Sequence, residues 1–189
     1  MRRPSRRPAA TAPRQTPGKC ARRAGCKHSE DDVIVPFFGR PYLVRHPDGQ
    51  LELDETAAGK DRASRHPGND GEPGSVAHVP LHHLLCADGA AAQEGWLSFR
   101  ELPDGMFYPQ AFTAYAETEI GRAFGVNADG GQALGAFAAA VGLGATPVSL
   151  GDTAFRFPVL LWLALAVLVW LADDDLAGQG QVHAGSRGR

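Results

Sequence analysis

The chain has 189 residues, long enough to bury a core without disulfides or metal, and its 23 glycines and 14 prolines predict short elements joined by many turns. Its formal charge of −2 is unevenly spread: residues 1–29 hold nine basic and no acidic residues, while the other 160 hold ten basic against 21 acidic. A body that acidic repels phosphate backbones, which disfavours nucleic-acid binding by the folded part.

Residues 1–18 contain no large apolar side chain after Met1, and they predict a basic disordered leader that extends to residue 29. No apolar segment follows the arginines, so neither a Sec nor a twin-arginine export signal is completed. A nucleic-acid or membrane-surface arm is the functional alternative to a solvated tail. Cys20, Cys26 and Cys86 form an odd set in no tight pattern, which fits a reducing cytoplasm rather than a disulfide framework.

From Val33 the pattern becomes β-rich. Val33–Phe37, Pro41–Val44 and Leu51–Leu53, separated by Phe38-Gly39-Arg40 and His46-Pro47-Asp48-Gly49, predict a small antiparallel meander. Residues 54–75 are charged and rich in Gly, Asp and Pro, and read as a mobile loop. A short helix is expected from Leu81 to Ala87, closed by Gly89, followed by a strand over Trp96–Leu102 and a turn at Pro103-Asp104-Gly105.

Phe112, Tyr115, Ala116, Ile120, Ala123 and Phe124 recur at helical spacing, as do Leu134, Phe137, Ala138 and Val141, so two helices are expected to pack as a pair. Strands are predicted at Pro147–Leu150 and Thr153–Phe157. Phe157–Ala172 is sixteen residues without a charge, whereas a membrane-spanning helix needs about 20. Arg156 precedes the run and Asp173-Asp174-Asp175 stop it, which favours a buried strand or two strand segments; a membrane anchor over 157–172 is the alternative. The fold class is therefore α+β, a mostly antiparallel sheet (N-terminal meander plus C-terminal strands) packed with about three helices.

The candidate polar site combines Arg100 and Glu101, in an aromatic neighbourhood with Trp96 and Tyr108, with acids at strand ends, Asp152, Asp173 and Asp175. On a strand Arg100 would share a face with Ser98, and if buried it would pair with Asp152 or the Asp173–Asp175 cluster, or else bind an anion. The acids could hold Mg²⁺ or Ca²⁺, or simply keep a sheet edge soluble. His82 is expected to be buried and hydrogen-bonded in its helix, with His83 placed by packing. Cys20, Cys26 and His28 lack the spacing of a zinc or iron–sulfur knuckle, no cofactor is evident, and no catalytic signature is present.

Together PFFGRPYLV (36–44), LHHLLCADG (81–89), WLSFRELPDGMFY (96–108), LGDTAFRFP (150–158) and the apolar run ending at Trp170 resemble the ordered landmarks of the DUF3786 family, a prokaryotic domain of unknown function. Ser98-Phe99-Arg100-Glu101-Leu102-Pro103 is the most specific piece. The resemblance implies one domain over 30–182, a divergent tail at 183–189 in which the family's last strand is lost, and a missing proline near Leu161. It also implies a soluble, cytoplasmic, accessory or ligand- or protein-binding module near iron–sulfur or one-carbon metabolism, with a protein of iron–sulfur or corrinoid systems as partner. A metal-dependent enzyme using the Asp cluster is the rival reading. The resemblance supplies no catalytic residue.

Overall fold

A computed structural model describes residues 16–46, 48–54, 73–90, 95–126, 129–140 and 142–186. The architecture is α+β, with two antiparallel sheets and helices packed on them. The first sheet has the order β1 (Lys27–His28), β2 (Asp32–Phe37), β3 (Arg40–Arg45), β4 (Leu51–Leu53), which is the expected meander with one extra strand at its start. Strict alternation in β2 and β3 buries Val33, Val35, Phe37, Tyr42 and Val44 on one face.

That face is covered by α1 (Pro17–Ala24) and α2 (Pro73–Cys86), through Ala21, Ala24 and Leu84. The leader predicted to reach residue 29 therefore gives way to structure at Pro17; residues 1–15 lie outside the described part. Helix α1 forms because Pro17 occupies its first turn, and Gly25 in the left-handed region (φ 70°) accepts the helix end. Helix α2 begins eight residues before the expected Leu81 and carries the buried Pro80 inside it. Most of the predicted loop, residues 55–72, lies outside the described residues; its end, Pro73–Ser75, belongs to α2.

The second sheet runs β5 (Trp96–Ser98), β9 (Gln179–Ser186), β8 (Leu163–Trp170), β7 (Thr153–Pro158), β6 (Thr146–Val148). The apolar run 157–172 is thus the end of β7, a turn and the central strand β8, as two strand segments. No helix among the described residues is long and apolar enough to cross a membrane. Residues 183–186, placed from sequence in the divergent tail, form the end of β9, which pairs along its whole length with β8, Leu163 opposite Ser186 through Trp170 opposite Gln179. Its small residues explain this: Gly180 and Gly185 leave room for the Ile120 and Trp96 side chains, which a Cβ there would strike.

Both faces of β8 are packed. Ala154, Ala166 and Leu168 meet Trp96 and Trp170 on one side, and Phe157 and Val169 meet the helices on the other. Those helices are α3 (Pro109–Phe112) and α4 (Thr118–Phe124), joined by a π turn over Thr113–Glu117, and then α5 (Gly130–Ala140). The two sheets meet at Phe38. Phe38 and Gly39 both take positive φ (47° and 71°) in the β2–β3 hairpin turn, a conformation that costs a non-glycine residue about 1–2 kcal/mol. Offsetting it, Phe38 N–H donates to Val159 O at 3.0 Å, and the Phe38 ring sits edge-on to Phe37 at 4.9 Å while reaching the core of the second sheet.

Candidate functional site

The residues singled out from sequence are not brought together. Trp96–Leu102 is a strand only to Ser98; Phe99–Glu101 turns into a 3₁₀ helix, so the expected alternation of faces ends there. The cause is a capping box. Ser98 N–H and Ser98 Oγ both donate to Glu101 Oε2 at 2.8 Å, which closes the turn on itself. These bonds, the hydroxyl's first, hold the Glu101 carboxyl below its ordinary range, with His183 on β9 adding to the effect. Arg100 consequently points to solvent, and among the described residues it makes no ion pair with Asp152 or the Asp173–Asp175 cluster. Trp96 packs half-buried over the sheet, whereas Tyr108 is exposed.

The carboxylates at the far end of the sheet serve the backbone. Asp152 Oδ2 accepts from Leu171 N–H at 3.3 Å, and Asp173 Oδ1 accepts from Asp175 N–H at 3.0 Å and Leu176 N–H at 2.7 Å. Among the described residues no three His, Cys, Asp or Glu side chains converge to hold a metal ion. Glu101 and the Asp152 end are also far apart. Ser98, His183 and Ala166 lie in one row across the sheet, and Ala166 is four residues from Trp170, about 13 Å at ~3.3 Å per residue.

His82 and His83 exchange their expected roles. His82 is exposed, and its Nε2 lies 3.5 Å from Cys86 Sγ one turn on. His83 is half-buried, with Nε2 3.3 Å from the Ala24 carbonyl oxygen, and thereby ties α2 to α1. Adjacent helix positions point about 100° apart, so only one of the two can face the core, and the apolar contacts of Leu84 select His83's side.

What the structure does assemble is an apolar pocket of about 410 Å³ between the helical layer and the inner face of the second sheet. Six of the nine phenylalanines line it: Phe38, Phe99, Phe112, Phe124, Phe137 and Phe157. Leu165 and Val167 form its floor from the middle of β8, and although central to the sheet they keep accessible surface because the pocket is open above them. Among the described residues no lining side chain is polar or charged. Phe99 and Phe112 stack as one wall, and Phe137, 44% exposed, lies opposite.

One wall carries the π turn. The sequence places Tyr115 on the inward helical face with Phe112 and Ala116, yet Tyr115 is 85% exposed. The wider π turn shifts the helical phase, turning Tyr115 outward and leaving Ala116 over the pocket. Glu117 closes the turn and ties it to β9: Thr113 Oγ1 donates to its Oε2 at 2.8 Å and Val182 N–H to its Oε1 at 3.3 Å. Of the helical stripe expected over Phe112, Tyr115, Ala116, Ile120, Ala123 and Phe124, the residues Phe112, Ala116, Ile120 and Phe124 face inward, half-buried over a gap that periodicity does not signal, whereas Tyr115 and Ala123 are exposed. Arg40, for which the sequence carries no such signal either, is 2% exposed and the one buried charged side chain among the described residues.

The family model described as a domain of unknown function (DUF3786) matches residues 16–184. No curated protein and no solved structure matches the chain. The matched segment starts where α1 starts and ends inside β9, so it covers both sheets and the pocket between sheet and helices. By this match, over nearly its whole length, the chain belongs to the DUF3786 family.

Proposed function

We propose that this domain is a non-catalytic binding module that holds a neutral, apolar small molecule between its helical layer and its second sheet. The observation that carries this reading is the pocket of about 410 Å³ whose described lining residues are all apolar. Ligand pockets of about 300–1,000 Å³ lined mainly by hydrophobic and aromatic side chains are the common form of small-molecule site. Energy points the same way. An empty apolar void costs ~24 cal/mol per Å³, so a sealed pocket of this size would cost on the order of 10 kcal/mol, as much as the whole stability of an ordinary domain. The opening to solvent lowers that figure, and a ligand with apolar surface lowers it further.

The lining also says what the ligand lacks. With no donor or acceptor side chain among the described lining residues, a polar group carried into the pocket would lose its hydrogen bonds to water without replacement. The π turn over Thr113–Glu117 supports the reading, because such turns occur often at functional sites. An accessory role in the cytoplasm, beside proteins of iron–sulfur or corrinoid systems, rests on the family resemblance, and the odd set of three cysteines agrees with a reducing compartment.

The test is titration of the full chain with a neutral fluorescent hydrocarbon such as 1,6-diphenylhexatriene, beside a Val167→Trp variant that fills the pocket floor. Saturable one-to-one binding by the natural chain, lost in a variant that keeps its circular dichroism, is the expected result. Equal binding by both proteins, or none by the natural chain, would overturn the reading.

A further inference from the structure

A second feature lies on the other sheet's cover, away from the pocket. Helix α2 carries His78, His82 and Cys86 at intervals of four, which places them in one stripe along the helix. The three line an open hollow of about 510 Å³ together with Val79, His83 and Leu160. Among the described residues its lining holds no carboxylate, which does not suit the oxygen-seeking cations Mg²⁺ and Ca²⁺.

We propose that His82 and Cys86 form a two-donor site for a borderline-soft divalent cation of the Zn²⁺ type. The spacing fits such an ion. Zn–N of about 2.0–2.1 Å and Zn–S of about 2.3 Å, at a tetrahedral angle of about 109°, set the two ligand atoms about 3.5 Å apart. His82 Nε2 and Cys86 Sγ are 3.5 Å apart. Both side chains are exposed, so an ion reaches them without opening the core.

The pair is the unit, not the stripe. His78 is eight residues from Cys86, about 12 Å along the axis at 1.5 Å per residue, too far to close on the same ion with it. His83 is turned to the Ala24 carbonyl. On binding, the Cys86 thiol loses its proton to solvent, and the two remaining tetrahedral positions take water or donors from another molecule. Binding therefore strengthens as pH rises.

The experiment is titration of the reduced full chain with Co²⁺, read by the near-ultraviolet thiolate-to-cobalt charge-transfer band, followed by displacement with Zn²⁺. The expected result is a band in the natural chain that Zn²⁺ abolishes, absent in Cys86→Ser and in His82→Ala, and present in Cys26→Ser and His78→Ala. Circular dichroism of the two exposed-site variants confirms that they fold. No band in the natural chain, a band that survives Cys86→Ser, or one lost with Cys26→Ser would overturn the proposal.

Discussion

Phe99 and Phe112 stack face to face, their ring centroids 4.2 Å apart and their planes 6° from parallel. The pair joins the 3₁₀ turn after β5 to helix α3 and forms one wall of the apolar pocket, so it links the most family-specific stretch of the chain to the candidate site. Aromatic pairs contribute about 0.5–1.5 kcal/mol beyond area burial. A double-mutant cycle on Phe99→Ala and Phe112→Ala, followed by urea unfolding, is expected to return a coupling in that range. Each single change should cost about 2–3 kcal/mol, below the full-burial value, since both rings are only half-buried.

Gly125 and Gly178 touch backbone to backbone where α4 ends against the segment entering β9. A Cβ on Gly178 would overlap the Gly125 carbonyl oxygen, which also accepts from Ala172 N–H at 2.7 Å. Gly178→Ala therefore cannot be absorbed by a side-chain rotation. We expect a loss of about 1–3 kcal/mol in chemical denaturation.

The Ser98–Glu101 box makes stability depend on pH. Its bonds favour the charged carboxylate, so the folded value lies below the ordinary 4.5. The stabilisation is complete above the ordinary value and is lost as pH falls through the folded one. Glu101→Ala should lower the thermal midpoint at neutral pH, and the gap from the natural chain should close on acidification below about 4.5. A gap that stays constant down to acid pH would contradict this assignment.

Thiol accessibility separates the three cysteines. Burial pushes the Cys26 thiol up to about 11, and Cys20 is buried in α1, whereas Cys86 is exposed. Maleimide labelling of the native protein at neutral pH, mapped by mass spectrometry, should modify Cys86 first. Cys26 and Cys20 should react only once denaturant is added.

The sequence by itself determined the local elements wherever one face of an element had to be buried. Alternation in Val33–Phe37 and Arg40–Arg45, the helical stripe from Phe112 to Phe124, and an apolar run too short to span a bilayer all follow from periodicity and length. It also carried the family landmarks. Tertiary structure decided what those faces meet. A stripe records that Phe112, Ala116 and Ile120 avoid water, but not that the opposing sheet stands back far enough to leave 410 Å³ between them. Likewise, Glu101 became a cap because Ser98 lay within reach, His83 rather than His82 turned inward because α1 offered the Ala24 carbonyl, and residues 183–186 became strand because β8 presented a partner along its whole edge. Each of these depends on contacts between segments distant in the chain or on competition between neighbouring side chains, and neither is written in local periodicity.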